Sequence, residues 1–132
     1  MAETRTSLAP TGADLEPASE MISLLKSIGM PENSAAVLFA LSEVQCASSK
    51  ELQKKCGLRQ PEVSVAIKRL TADDMVSRGE IQSGGRGRPR HLYHINGSLI
   101  EVVQPYVEDA KIRLQRLEGV ISRLDSISEA QS

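Results

Sequence analysis

Gly57 interrupts two short apolar-periodic segments, and no other feature narrows the possible folds as much. Ahead of it, Ser48 and Glu51 have capping-box spacing, in which each side chain satisfies a free amide of the other end of a first helical turn. Leu52 and Cys56 then fall on one inward face. A glycine after about two turns ends a helix, because it adopts the left-handed conformation there without a Cβ penalty. Leu58 follows, and Arg59-Gln60-Pro61-Glu62 opens another helix, with Pro61 suited to a first turn. Its inward positions are Val63, Ala66, Ile67 and Leu70, and its outward positions are Gln60, Pro61, Ser64, Val65 and Lys68.

A short helix, a turn centred on glycine and a second helix make a helix-turn-helix arrangement, in which the second helix can enter a DNA major groove. The flanking segments extend the pattern. Upstream, a helix beginning at Pro17 or Ser19 carries Met21, Leu24, Leu25 and Ile28 on one face and ends at Gly29. A further helix, opened by Met30-Pro31-Glu32-Asn33, turns Val37, Leu38, Ala40, Leu41 and Val44 inward and stops near Gln45. Downstream, Met75–Gln82 reads as a strand and His91–Ile95 as a second, with His91, Tyr93 and Ile95 on one face. Between them lies Ser83-Gly84-Gly85-Arg86-Gly87-Arg88-Pro89-Arg90, with three arginines and no acid. Arginine on so pliant a frame suits phosphates and base edges rather than a core. Helix-turn-helix followed by hairpin is a winged helix, with this segment as the tip of the wing.

From Leu24 to Ile95 the chain resembles the winged-helix transcriptional regulators of the MarR and TrmB-like groups of archaea and bacteria. The residues that carry the resemblance are Ile28-Gly29-Met30-Pro31-Glu32, Ser49-Lys50-Glu51-Leu52 through Gly57-Leu58-Arg59-Gln60-Pro61-Glu62-Val63-Ser64, and Gly85-Arg86-Gly87-Arg88-Pro89-Arg90 with Leu92-Tyr93-His94-Ile95. The resemblance implies base reading by Gln60, Pro61, Ser64, Val65 and Lys68, and a minor-groove arginine at Arg86 or Arg88. TrmB-like sugar sensors carry a further effector domain, for which this chain ends too early, so no sugar ligand is expected. Arg86-Gly87-Arg88-Pro89 also matches the core of an AT-hook, and both readings place arginine in a minor groove.

The last segment has its own logic. Ser98 and Glu101 repeat the capping-box spacing. Ile100, Val103, Val107, Ala110, Leu114, Leu117, Ile121 and Leu124 then recur alternately three and four residues apart, as the a and d positions of a heptad do. Leu99, Tyr106, Val120 and Ile127 form an adjacent column broken by Arg113. The stripe is wider than a two-stranded coil needs, which predicts packing on a second copy and on the chain's own first helix. Pro105 predicts a break near residues 101–104, with the long helix starting at Pro105. Dimerisation is assigned to Val107, Ala110, Leu114, Leu117, Ile121 and Leu124.

The fold class expected is therefore mainly α with a small β-hairpin: a disordered tail over 1–16, a winged helix-turn-helix domain over 17–97 and a C-terminal dimerisation helix over 98–128. Net charge is only −1, but residues 50–90 hold ten basic and five acidic groups between two acidic flanks, the pattern of a localised polyanion-facing surface. Ser49, Lys50, Lys54, Arg59 and Arg69 are assigned to phosphates, and Arg86, Arg88 and Arg90 to the wing contact. Glu62 either serves the helix N-terminus or accepts from a cytosine. The expected partners are double-stranded DNA and a second copy of the chain, and a small-molecule effector is not assigned. A winged helix that binds proteins inside a larger complex, without reading DNA, is the other reading, and the near-zero net charge favours it.

No apolar run approaches the ~20 residues of a membrane span, and no secretory leader opens the chain, so a cytoplasmic protein is expected. Cys46 and Cys56 lie ten apart without a Cys-x-x-Cys, and His91 and His94 point to opposite faces of one strand, so no metal or other cofactor is expected. The two cysteines could also serve a redox switch, with a core role favoured for Cys56. No catalytic triad, carboxylate pair or phosphate-binding loop occurs, and no enzyme activity is expected.

Overall fold

The computed structural model describes residues 17–81 and 90–131. The elements run α1 (Pro17–Ser27), α2 (Glu32–Ser42), β1 (Ala47–Ser48), α3 (Ser49–Cys56), α4 (Gln60–Ala72), β2 (Val76–Ile81), β3 (Arg90–Ile95), α5 (Leu99–Val102) and α6 (Gln104–Gln131). This is a mainly helical winged-helix fold with a three-stranded antiparallel sheet and a long C-terminal helix. The tail expected over 1–16 lies outside the described residues.

Local chemistry sets the ends of these helices. At α1, the amide of Gly29 donates to the Lys26 carbonyl (3.0 Å) and that of Met30 to the Leu25 carbonyl (3.1 Å), with Gly29 at φ 107°. This is a Schellman cap, and its usual apolar contact is supplied by Leu25 and Met30, both buried. α4 ends the same way, Asp74 at φ 61° taking the left-handed position and Leu70 and Met75 closing the apolar contact. At α3, the Glu51 carboxylate accepts from the Ser48 amide (2.8 Å) while the Ser48 hydroxyl accepts from the Glu51 amide (3.2 Å), and Gly57 closes the helix at φ 66°. Ser98 and Glu101 repeat the reciprocal pair at α5.

The core is aliphatic. Val37, Leu38 and Leu41 of α2, Leu52 of α3, Val63 and Leu70 of α4 and Val76 of β2 are its largest fully buried side chains. Full burial of such a side chain contributes about 1.5–3 kcal/mol. The four inward positions read for α4 are all buried. Strand order is β1-β3-β2, with Val76 opposite Ile95 at one end of the hairpin and Ile81 opposite Arg90 at the other. β1 escapes a pattern reading because two residues carry no alternation; Ala47 and Ser48 are a strand only because Tyr93 and Leu92 pair with them.

Several expectations need correction. Leu24 is 54 % exposed, so α1 turns Leu25 inward with Met21, Ile22 and Ile28 around it. A stripe at i, i+3, i+4 is wider than the seat that α2 offers. α2 ends at Ser42, not near Gln45, where the Ser42 hydroxyl donates to the Phe39 carbonyl at 2.6 Å. The long helix starts at Gln104, one residue early, because Pro105 fits a first turn whose amides need no helical acceptor. The expected packing of this helix along α1 is not found beyond its first turns. Val120 and Ile127, of the third apolar column, are 55 % and 42 % exposed, and every described residue from Lys111 onward is exposed. α1 has only 11 residues against the 28 of α6 and cannot cover it.

No described helix is long and apolar enough to cross a membrane. Cys56 is half-buried and its thiol donates to the Ala36 carbonyl at 3.5 Å, whereas Cys46 is exposed. Burial pushes the Cys56 thiol up from its ordinary range, against a smaller opposing effect of Lys55.

Two measurements follow. Gly57→Ala meets open space but keeps a left-handed backbone, so it should lower unfolding free energy by about 1–2 kcal/mol in a urea titration. In alkylation at pH 8, Cys46 should react first and Cys56 about tenfold or more slowly, because fewer Cys56 thiols are ionised and reach is poorer. Denaturant should abolish the difference.

Candidate nucleic-acid interface

α4 presents two outward rows, and each row faces a different groove. Its inner residues fix this by burying themselves, so that positions three and four apart on the opposite side must look outward. The first row is Gln60, Ser64 and Lys68. It lines a groove of about 790 Å³ with Ser49 of α3, Thr71 of α4, Arg78 of β2 and Tyr93 of β3. The charged residues of this lining are Lys68 and Arg78, and it holds no carboxylate. Arg78 and Tyr93 are cross-strand partners, which puts both side chains on the same face of the hairpin.

The second row is Pro61, Val65 and Arg69. It faces a separate groove of about 510 Å³, whose other wall is the start of α2 from Pro31 to Ser34. Here charge is mixed, with Glu32 and Glu62 opposite Arg69. Val65 is 62 % exposed, a large apolar side chain held out in water. A third, smaller hollow of about 300 Å³ is lined by Ser48, Ser49, Lys50, His91 and Tyr93. Ser49 and Tyr93 belong to both the first groove and this one, so the two adjoin.

Glu62 has a definite local task. Its carboxylate accepts from the backbone amide of Arg59 at 2.8 Å, ahead of the first turn of α4. A carboxylate at a helix N-terminus also meets the positive end of the helix dipole. Of the two uses open to Glu62, the geometry favours service to the helix start.

The residues singled out from the sequence are thus partly gathered and partly separated. Gln60, Ser64, Lys68 and Ser49 share one groove; Pro61, Val65 and Arg69 share another; Lys50 lines the third. The Ser49 hydroxyl already accepts from the Gln53 side chain at 3.3 Å. Lys54 and Arg59 are exposed, in the last turn of α3 and at the cap of α4. Arg90 opens β3 opposite Ile81, while Arg86 and Arg88 lie outside the described residues. Arg78, Thr71, Tyr93 and His91 join the grooves without having been singled out. Their signal was weak: Arg78 was one charge in a basic stretch, and alternation put His91 and Tyr93 on one face without saying which way it turned. Among the described residues, no group of three His, Cys, Asp or Glu is placed to hold a metal ion.

The same arrangement occurs elsewhere. No curated protein matches the chain. Among solved structures, a possible transcriptional regulator from Methanosarcina mazei Go1 superposes with a TM-score of 0.54 at 16 % identity, over 84 % of this chain and 94 % of that one. The ST1889 protein of the thermoacidophilic archaeon Sulfolobus tokodaii gives 0.57 at 18 % identity, over 76 % and 95 %. MepR, a transcription regulator of the Staphylococcus aureus multidrug efflux pump MepA, gives 0.50 at 14 % identity, over 87 % and 90 %. At such identities the likeness is one of fold. The family model described as MarR family matches residues 28–87, from the end of α1 through α2, the helix-turn-helix and into the hairpin connection. Over those residues the chain is thus similar to the MarR family in sequence as well as in fold.

Proposed function

We propose that the chain is a DNA-binding transcriptional regulator that acts as a homodimer, with α4 in the major groove and the Arg86–Arg90 wing at the minor groove. The observation that carries this reading is the groove between α4 and the hairpin. It gathers Lys68, Arg78, Gln60, Ser64 and Tyr93 with no carboxylate among them, beside the strands that lead to the wing. A phosphodiester strand running between helix and wing finds two cations and several hydroxyl and amide groups there. Gln60 has the paired donor and acceptor that match adenine, and the exposed Val65 can meet a thymine methyl. Lys50, Lys54, Arg59 and Arg69 hold flanking phosphates, and Arg78 joins them. The match of residues 28–87 to the MarR family model supports regulation of transcription as the purpose.

Dimerisation rests on α6. Leu114, Leu117, Ile121 and Leu124 are 57 %, 58 %, 52 % and 61 % exposed in a single chain, and they follow one another at heptad spacing. A stripe of that size is not left to water, and only a surface of equal length can cover it. A second α6 is such a surface. The chain divides by role into a DNA-binding part, 17–97, and a dimerising part, 98–128, in a cytoplasmic protein. Two-fold symmetry then offers two copies of α4 to successive major grooves.

Two experiments test this. In gel-shift or anisotropy titrations with genomic fragments, Lys68→Ala and Arg78→Ala should each weaken binding on all sequences and reduce the slope of log K against log[salt] by about 0.9 per lost phosphate contact. Arg86→Ala with Arg88→Ala should flatten it further. Gln60→Ala should instead relax base preference, costing about 1–3 kcal/mol on the selected site alone. No retardation at micromolar protein and moderate salt would sink the DNA reading and favour a protein partner on the same surface. In sedimentation equilibrium the wild type should weigh twice the chain mass, and Leu117→Glu should shift it to monomer; an unchanged dimer would remove α6 from the interface.

A further inference from the structure

We propose that Arg113 is a positioning residue: by gripping the end of α1 it sets the exit angle of α6, and with it the half-site spacing that the dimer accepts. The inference rests on the homodimer reading and goes beyond it.

Arg113 stands where an apolar residue would serve a coil better. Leu99, Tyr106, Val120 and Ile127 occupy the same column at seven-residue intervals, and Arg113 is the one charge in it. Among the described residues its guanidinium forms no ion pair with a carboxylate. Nη2 donates instead to the carbonyl of Ile28 at 3.2 Å. That carbonyl belongs to the residue between the last helical residue of α1, Ser27, and the left-handed Gly29, at the negative end of the helix, where a cation is favoured. Both side chains lie against Gly29: a Cβ there would be in ordinary van der Waals contact, 3.6 Å from Arg113 Nη2 and 4.0 Å from Tyr106 Cδ1. The end of α1 is thus a saddle that receives both side chains.

Tyr106 and Arg113 are seven residues apart and project from the same side of α6. The Tyr106 hydroxyl donates to Asp73 Oδ2 at 3.4 Å, and Asp73 is the C-cap of α4. Burial and then the Asp73 carboxylate push the phenol up, which keeps the donor proton in place. One anchor therefore ties α6 to the recognition helix itself, and the other, two turns on, ties it to α1. Two points along a rod set its direction. Beyond Arg113 every described residue of α6 is exposed. Tyr106 and Val107 pack against the core at the base of α6, and without Arg113 the helix is free to tilt about that base.

The angle matters because of leverage. Recognition helices of a dimer sit about 34 Å apart, roughly 17 Å from the two-fold axis. A pivot of about 10° moves each by about 3 Å, and because symmetry moves both, their separation changes by up to about 6 Å, nearly two base-pair steps of ~3.4 Å. Loss of the second anchor is enough to blur spacing by one or two steps.

The test uses the full chain. Selection from a random duplex library defines the half-site; duplexes are then made with the two half-sites at the selected separation and one or two base pairs nearer or farther. The wild type should prefer one separation at least tenfold. Arg113→Met, which keeps the stem and completes the apolar column, should remain a dimer and bind a duplex with one half-site as the wild type does. Its preference among separations should fall several-fold, and Arg113→Lys should restore part of it. Tyr106→Phe removes the other anchor and should loosen spacing in the same way should the methionine variant associate further. Undiminished spacing preference in a dimeric Arg113→Met would overturn the proposal, as would the same result in Tyr106→Phe should the methionine variant associate further, or a wild-type dimer that binds all separations alike. A monomeric wild type, or one that retards no duplex, would instead mark failure of the dimeric DNA-binding reading beneath it.

Discussion

Val63, Ala66, Ile67 and Leu70 bury the inner face of α4 among Leu38, Leu41 and Leu52, and the geometry of the two larger grooves depends on that burial. A helix with four positions committed to a core has no freedom to roll about its axis. Its outer rows are then aimed as a consequence, Gln60–Ser64–Lys68 toward the sheet and Pro61–Val65–Arg69 toward α2. The left-handed Gly57 serves the same end, because it sets how steeply α4 leaves α3. The polar chemistry of the surface is carried by residues outside the core, and the apolar chemistry beneath decides where they point.

The capping arrangements show a second economy. Four helix ends are closed by short-range contacts: the Schellman caps after α1 and α4 and the reciprocal serine–glutamate pairs before α3 and α5. Each satisfies orphan backbone groups that would otherwise need water. Because these ends are sharp, the short connections hold the helices in one arrangement. At α1 the cap does more, since it leaves the Ile28 carbonyl for Arg113 and gives the C-terminal helix a fixed point on the body.

Elements with dense local signals were legible in the chain as written. The capping-box pair at Ser48 and Glu51, the glycine stop at 57 and the inward set of α4 all follow from spacing and backbone preference. β1 was not legible, because pairing with a distant strand makes it a strand. Leu24 was misplaced for a related reason: periodicity says which side chains share a face but not how much of the face a neighbour covers. Arg113 read as a flaw in a stripe, and only the approach of α1 gives it a partner. Arg78 and Tyr93 read as one charge and one strand residue until the hairpin set them across from each other beside Lys68.

What the sequence by itself determined is therefore the helices and the hairpin, their order, the ends marked by caps and glycine, and the inner face of α4, since these depend on interactions within about four residues. Tertiary structure decided which polar residues share a groove, that the outward positions of α4 split into two rows, and that α6 leaves the body after its first turns with its apolar stripe in water. Those outcomes rest on contacts between residues far apart in the chain, such as Arg78 with Tyr93 and Arg113 with Ile28, whose cost and reward exist only once the core has formed.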